Sequence, residues 1–168
     1  MDISRFNALD PNDAAALLRP CVDIDRWVET ILGTRPFASV DELLACAQAA
    51  AAPFTEAEID AALAHHPRIG ERAAGSSAEA ALSRSEQSGL NLDEQLTAAL
   101  VSGNRAYEER FSRVFLIRAS GRSSAEILAE LRRRLDNDPE VELAEVGEQL
   151  RAIALLRLAA AFDRAPAR

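Results

Sequence analysis

Residues 138 to 162 read DPEVELAEVGEQLRAIALLRLAAAF, and this stretch decides the fold class. Asp138 can cap a helix, and Pro139 suits the first helical position, where the missing N–H costs nothing. The alanine- and leucine-rich run that follows favours a helix over a strand. The stretch therefore predicts one long helix that extends to about Phe162.

Start signals of the same kind recur along the chain. In a capping box, a serine or threonine is followed three residues later by glutamate, and each side chain bonds to the backbone N–H of the other residue. Such patterns are formed by Ser39 with Glu42, Thr55 with Glu58 and Ser123 with Glu126, and Asn91 with Glu94 is similar. Two further helices are predicted to start at Asp10-Pro11 and at Asp23, the second ending at Gly33.

These signals predict an all-α protein, a single compact domain that covers residues 1–168. Residues 114–117 are the only stretch that reads as extended, and we interpret this short run between two arginines as a buried connection rather than a sheet. About eight helices are expected, at 11–19, 23–32, 40–51, 56–65, 77–88, 92–111, 124–136 and 139–162.

Composition argues against several classes of protein. The net charge of −8 is unfavourable for general nucleic-acid binding, which needs a basic surface. The one basic run, Arg132 to Arg134, is interpreted as a solvated face near a helix C-terminus. All 19 basic residues are arginines, so the chain has no lysine for a Schiff base, for pyridoxal phosphate or for a Walker A loop.

Cysteine usage and hydropathy bear on the compartment. Cys21 and Cys46 are isolated thiols without Cys-x-x-Cys spacing, which favours a reducing compartment and argues against a disulfide framework or a zinc site. No apolar run is long enough to span a membrane, and no basic-then-apolar leader is present. We therefore expect a cytoplasmic protein with no membrane partner and no nucleic-acid partner.

His65 and His66 are the two histidines, at the end of a predicted helix. Either could be an ordinary helix-end residue that favours the C-terminal dipole. Pro67 restricts the residue before it to an extended conformation, so His66 is expected to leave the helix while His65 stays structural. A metal site is the competing interpretation, but adjacent histidines do not share a helix face and no second cluster of ligands is present. The loop of roughly 66–76 carries this motif.

A polar run on the predicted helix 77–88 is the second candidate feature. Ser83, Glu86 and Gln87 share one helix face. A glutamate near a histidine that is fixed at a helix exit supplies the parts of a general acid–base site, although an exposed helix face is the alternative. Gln87 can both donate to and accept from an amide-like ligand.

Arg157 is the only charged residue between Ala152 and Phe162, on a face shared with Leu150 and Ile153. An arginine in an apolar stripe is rarely left unpaired. It could form a structural ion pair with a glutamate, or it could clamp a substrate carboxylate. Residues 115–121 form a short extended run that ends in small residues, which would leave backbone groups free for a ligand.

Together these segments resemble the family of 2-oxo-4-hydroxy-4-carboxy-5-ureidoimidazoline (OHCU) decarboxylases of urate degradation, nearly over the whole chain and in the expected order. The chain departs from the family at Phe111-Ser112-Arg113, where Phe-Gly-aromatic is expected. The resemblance is carried by Phe6-Asn7, His66-Pro67-x-Ile69-Gly70, Ser83-x-x-Glu86-Gln87, Asn104-x-x-Tyr107, Phe115-x-Ile117 and Arg157.

The resemblance implies a typically homodimeric all-helical carboxy-lyase that converts the ureidoimidazoline substrate to (S)-allantoin without a cofactor or metal. It implies that His66 is the general acid–base and that Glu86 orients it or shares the proton transfer. The substrate-binding residues implied are Pro67, Ser83, Arg84, Ser85, Gln87, Phe115, Leu116, Ile117, Arg118, Ala119 and Arg157. The alternatives are a non-catalytic helical interaction module, which needs an exposed apolar patch, and a metal-dependent lyase.

Overall fold

The computed structural model describes residues 1–64, 66–70, 78–88 and 94–163 of the chain. Within these ranges the chain is helical and has no strand, which confirms the prediction of an all-α protein. Each of the predicted helical ranges overlaps one of the helices α2 to α9. The helices described are α1 (Ile3–Ala8), α2 (Pro11–Leu18), α3 (Asp25–Thr34), α4 (Val40–Ala50), α5 (Glu56–Leu63), α6 (Ala78–Gln87), α7 (Glu94–Phe111), α8 (Ser124–Leu135) and α9 (Pro139–Asp163).

Several predicted caps are present. The Ser123 hydroxyl accepts from the Glu126 N–H at 3.3 Å, and the Glu126 carboxylate accepts from the Ser123 N–H at 2.7 Å. Thr55 and Glu58 make the same reciprocal pair at the start of α5, at 3.3 and 2.8 Å. These two capping boxes are confirmed, whereas the Asn91 pattern lies outside the described residues. At α4 the Ser39 hydroxyl accepts from the Glu42 N–H as predicted, but the Glu42 carboxylate accepts from the Ala38 N–H instead of the Ser39 N–H, so the predicted box is only half formed.

The predicted start and end of α3 are wrong. Asp23 does not cap the helix, because its carboxylate pairs with Arg19 at 2.5 Å, and α3 begins at Asp25. Gly33 does not end the helix, which continues to Thr34. The residue before a proline is disfavoured in the helical conformation, so Pro36 excludes Arg35 and sets the end instead.

Helix α1 was not predicted. It has six residues and is capped by the Asp2 carboxylate, which accepts from the Arg5 N–H at 2.8 Å. Its Phe6 side chain is fully buried and contacts the rings of Phe37 and Phe162. A six-residue helix is too short to show a periodic pattern in the sequence, and the burial of Phe6 in the folded protein is what stabilises it.

The described structure divides into two compact units. The first unit comprises Met1–Glu58 with Arg151–Arg168, and the second comprises Ile59–Leu150. In the first unit, α3 packs against α2 and α4, and the Trp27 indole N–H donates to the Ala47 carbonyl at 2.9 Å. That residues 1–168 form one domain stays a prediction.

In the second unit α7 packs closely against α8. Gly103 permits this approach, since a Cβ atom at that position would lie 2.5 Å from the Leu131 side chain. Phe115, Leu116 and Ile117 are buried and in no strand, which confirms the predicted buried connection for 115–117, whereas Val114 is half-buried. The core of this unit contains Ile69, Leu100, Tyr107, Phe111, Phe115, Ile117, Ala119, Ile127, Leu128 and Leu131.

The interpretation of the arginine run as a solvated face is correct for Arg132 and Arg133 and wrong for Arg134. Arg132 and Arg133 are exposed, but Arg134 is fully buried. Arg134 lies three residues after Leu131, on the face of α8 that meets the core. Its guanidinium donates to Glu142 and to the Leu116 carbonyl, which compensates for the loss of water.

No helix in the described ranges is long and apolar enough to cross a bilayer.

Candidate functional site

The end of α5 determines the position of His66. The helix ends at Leu63, and the His66 N–H donates to the Leu63 carbonyl at 3.0 Å. His66 itself is outside the helix, as the following Pro67 predicts, and its side chain is only 8% exposed. His65 lies outside the described residues. A nearly buried imidazole at a helix exit is a candidate for proton transfer.

Residues 66–70, which we call the histidine segment, are bonded to α7 at two points. The Arg68 guanidinium contacts both carboxylate oxygens of Glu108, at 2.5 and 2.9 Å. This hydrogen bonding holds the pKa of Glu108 below its usual range, so the pair is ionic at neutral pH. The Asn104 amide donates to the Ile69 carbonyl at 3.0 Å in the core. These contacts with side chains of α7 hold the backbone that follows His66 in place.

The end of the histidine segment is bonded to α6. The Gly70 N–H donates to Oε1 of Gln87 at 3.0 Å. Gly70 has a φ of 84°, a conformation that glycine adopts without strain. Gln87 was predicted to bind substrate, and this contact uses its amide oxygen to hold the segment that carries His66. Its amide nitrogen remains a donor for other contacts.

The carboxylate described next to His66 belongs to Glu79, which the sequence analysis did not single out. Oε1 of Glu79 lies 3.4 Å from Nδ1 of His66, and the two side chains are 31% and 8% exposed. Glu79, Ser83 and Glu86 lie on one face of α6, at spacings of four and three residues. Glu79 is two helical turns before Glu86, and that spacing was the signal that could have identified it.

The predicted residues on and near α6 differ in burial. Ser83 is buried at 3% exposure, whereas Pro67, Arg84 and Glu86 are half-buried. Ser85 is exposed, and its carbonyl accepts from Ser88 within the last turn of the helix. Described contacts thus join His66 to Glu79 and Gly70 to Gln87. The substrate-binding roles of Pro67, Ser83, Arg84 and Ser85 stay predictions.

A cavity of about 660 Å³ adjoins His66. This volume is sufficient for a small-molecule metabolite. The cavity wall contains two ion pairs, Arg68 with Glu108 and Arg113 with Asp60, the latter with an Nε–Oδ1 distance of 3.1 Å. It is lined by Asp60, Leu63, Ala64, His66, Arg68, Glu108, Ser112, Arg113 and Val114. His66 is the single residue of this lining that the sequence analysis had assigned to the site.

The segment 115–119 is held by side chains from other helices. The Leu116 carbonyl accepts from Arg134 at 2.8 Å, and the Arg118 N–H donates to Gln149 at 3.0 Å. Two backbone groups that we expected to be free for a ligand are therefore occupied. The side chains of Phe115, Ile117 and Ala119 are in the core, and Arg118 is exposed. A role of residues 115–119 in substrate binding stays a prediction.

Arg157 belongs to the first unit. It is 4% exposed, and its Nη1 donates to the Pro20 carbonyl at 3.1 Å. This contact with a backbone oxygen gives the guanidinium a structural partner within its own unit. Its binding of a substrate anion stays a prediction.

In the part of the chain that the structure describes, no group of three or more His, Cys, Asp or Glu residues could hold a metal ion. Cys21 and Cys46 are both free thiols.

Comparison with known proteins gives one family over most of the chain. Residues 7–159 match the family model of OHCU decarboxylase. The OHCU decarboxylase of Haloferax volcanii is 28% identical over 167 residues, which cover 97% of each chain. The uric acid degradation bifunctional protein of Arabidopsis thaliana is 37% identical over 106 residues, 61% of this chain and 33% of that protein.

Two solved structures resemble the fold. A crystal structure of OHCU decarboxylase in the presence of (S)-allantoin has a TM-score of 0.72 at 23% identity. The match covers 88% of this chain and 97% of the chain in that structure. A crystal structure of (S)-allantoin synthase has a TM-score of 0.71 at 18% identity. The match covers 97% of this chain and 55% of the chain in that structure. At sequence identities this low, the two structures show that the fold is shared.

Proposed function

Because the chain belongs to the OHCU decarboxylase family, we propose that it decarboxylates OHCU to (S)-allantoin in the degradation of urate. The observation that carries this proposal is His66, a nearly buried imidazole with a carboxylate 3.4 Å from Nδ1 and a cavity of about 660 Å³ beside it. A positioned imidazole can both take and give a proton near neutral pH.

The chemistry of the substrate explains why acid–base groups suffice. The carboxylate leaves from a carbon next to a ring C=N bond. As the C–C bond breaks, its electron pair forms a C=C bond, and the C=N electron pair moves to nitrogen. Carbon dioxide departs, and the ring nitrogen that received the electron pair takes up a proton from solvent. The hydroxyl then loses its proton and becomes a carbonyl while the neighbouring carbon gains a proton, so the net reaction consumes one proton. The electron sink that a cofactor supplies in other decarboxylases is therefore part of the substrate.

The protein has three tasks in this reaction: to orient the carboxylate, to accept the hydroxyl proton and to protonate one face of the carbon. We assign the proton transfers to His66, with Glu86 sharing them. Ser83, Gln87 and the backbone near Ile117 are proposed to bind the ureido and ring amides. Arg157 is proposed to bind an anionic group, as its resemblance to the family arginine suggests.

We also propose a cytoplasmic homodimer that needs no cofactor. The support is the resemblance to the family and the two free thiols, Cys21 and Cys46. The interaction-module alternative needs an exposed apolar patch, and the exposed large hydrophobic residues of the described ranges are Val101, Val141 and Leu156. This small set gives that alternative little support.

The function is tested by adding the protein to freshly generated substrate and following circular dichroism. Spontaneous decay gives racemic allantoin, so an enzyme is revealed by optical activity. We expect a signal of one sign to develop with protein, including protein dialysed against a chelator. Absence of the signal would reject the function, and a signal that needs an added divalent ion would support the metal-dependent alternative.

A further inference from the structure

We propose that Glu79, rather than Glu86, is the carboxylate that orients the His66 ring, and that it keeps a proton on Nδ1 so that Nε2 exchanges protons with the substrate. This inference rests on the proposed function and adds a positioning residue to it. Glu79 acts through His66 and does not touch the substrate.

The first support is the contact itself. Oε1 of Glu79 lies 3.4 Å from Nδ1, and the imidazole is only 8% exposed. A neutral imidazole has one N–H donor and one acceptor nitrogen, whereas a carboxylate only accepts. Nδ1 and Oε1 are within ion-pair distance but do not form a hydrogen bond. The negative charge beside Nδ1 therefore favours the tautomer with the proton on that atom. The second nitrogen then has a lone pair to take a proton from the substrate.

The second support is the register of the histidine segment along α6. His66 contacts Glu79 near the start of this helix, and Gly70 contacts Gln87 at its end. Residues 79 and 87 are about 12 Å apart along a helix axis, and the Cα atoms of residues 66 and 70 can be at most about 14 Å apart. The segment therefore runs beside α6, with the histidine at the end where Glu79 lies.

Glu86 lies near the end of α6, whereas Glu79 lies near its start. Glu86 is seven residues after Glu79, about 10 Å further along the axis, and it adjoins Gln87, which is bonded to Gly70. The two glutamates of α6 are thus about two helical turns apart, and Glu79 is the one described within ion-pair distance of the His66 ring. The share in proton transfer that we propose for Glu86 does not require it to orient the ring.

Two ion pairs line the cavity beside His66. Asp60 on α5 pairs with Arg113, which follows α7, and Arg68 of the histidine segment pairs with Glu108 of α7. Each of these pairs has a net charge near zero. Glu79 on α6 lies within ion-pair distance of the ring, so its removal is expected to change the titration of His66.

The experiment uses the fact that the protein has two histidines, His65 and His66. Long-range ¹H–¹⁵N spectra report which ring nitrogen carries the proton, and His66→Asn assigns the signals. The variants are Glu79→Ala and the matched control Glu86→Ala on the same helix face. We expect the proton on Nδ1 of His66 in the wild type and in Glu86→Ala, and a loss of this preference in Glu79→Ala.

A second measurement tests the charge of Glu79. Glu79→Gln keeps the shape of the side chain but removes the charge, so the midpoint of the His66 titration should move to lower pH, because an opposite charge favours the protonated form. The limb of the pH–rate profile that reports His66 should move with it. Glu79→Ala should lower kcat about 10–100-fold, the range for residues that orient metal-binding histidines, which we carry over to this ring, with KM little changed.

The outcomes distinguish the inference from the proposed function. A wild type that produces no optically active allantoin rejects the function, whereas the tautomer spectra do not depend on activity. Melting curves first establish that each variant is folded. If folded Glu79→Ala keeps the wild-type tautomer and titration, or if Glu86→Ala alone changes them, Glu79 does not orient His66.

Discussion

Arg134 and Glu142 form an ion pair in which both side chains are buried from water. Both side chains are 0% exposed, and Nε of Arg134 donates to Oε1 of Glu142 at 2.9 Å. The Tyr107 hydroxyl donates to the same oxygen, and Asn137 donates to the other oxygen at 2.8 Å. Burial and this hydrogen bond raise the pKa of Tyr107 above its usual range. The network joins α7, α8 and α9 within the second unit.

We predict that Arg134→Met destabilises the protein strongly. Removing one partner of a buried pair leaves the other charge without compensation, which costs about 3–5 kcal/mol. Urea denaturation measures this change. Arg133→Met is the matched control on the same helix, because Arg133 is half-exposed and pairs at the surface, where an ion pair contributes about 0–1 kcal/mol. Equal effects of the two substitutions would contradict the importance of burial here.

The second prediction concerns acid stability. Hydrogen bonds from Arg26 lower the pKa of Glu58 from 4.5 to about 2. Because the folded state lowers this pKa, the stabilisation is present above about pH 4.5 and is lost as the pH falls towards 2. Glu58→Gln should therefore reduce the unfolding free energy at pH 6 and flatten its decrease below pH 4.5. Urea titrations at several pH values measure this, with the exposed Glu29→Gln as the control, and an unchanged acid slope would contradict it.

The third prediction is that Ser112→Gly stabilises the protein. Ser112 has a φ of 56°, in the left-handed region, immediately after α7. This conformation costs a non-glycine residue about 1–2 kcal/mol, and the greater entropy of unfolded glycine offsets about 0.5–1 kcal/mol of the gain. A net gain of about 0.5–1 kcal/mol in unfolding free energy is expected from these two effects.

The reverse substitution is the control for this prediction. Gly121 has a φ of 79° and open space around the position of a Cβ atom, so Gly121→Ser introduces strain without a clash. It should lower the melting temperature, while Ser112→Gly raises it. A lower melting temperature for Ser112→Gly would mean that the serine side chain contributes more than the backbone strain costs.

The fourth prediction concerns Arg157. Arg157→Met keeps the length and apolar stem but removes the charge and its fork of donors. If the guanidinium binds an anion, allantoin affinity should fall by about 1.5–3 kcal/mol, the range for hydrogen bonds to charged groups. Calorimetric titration with allantoin measures it. Unchanged affinity in a folded variant would restrict Arg157 to its structural contact with Pro20.

The parts of the fold that sequence predicts best are those with local causes. The capping boxes at Thr55 and Ser123 depend on residues three positions apart, and both are present in the structure. Helix α1 has only six residues and little periodicity, so its evidence lies in the burial of Phe6. The end of α3 was misplaced because Pro36 determines it more strongly than Gly33 does.

The parts of the site that depend on short sequence motifs could be predicted. Pro67 indicates that His66 leaves its helix, and the Glu-Gln pair indicates α6 as its neighbour. The contact of Glu79 with His66 depends on how the histidine segment lies along α6, which no local pattern specifies. Likewise, the bond from Arg134 to the Leu116 carbonyl joins residues 18 positions apart, so a basic run alone could not indicate it.

The central claim is that His66 delivers the proton that sets the configuration of the product. Loss of carbon dioxide leaves a planar intermediate that water can protonate on either face, so a single enantiomer requires one fixed donor and exclusion of bulk water. His66→Asn keeps a hydrogen-bonding side chain but cannot exchange a proton. The most direct measurement is the chirality of allantoin formed by this variant at saturating substrate. We expect the rate to fall roughly 10²–10⁴-fold, the range for a positioned acid–base group, and the product to become racemic as the spontaneous reaction takes over. Formation of (S)-allantoin by His66→Asn at a rate near that of the wild type would contradict the claim.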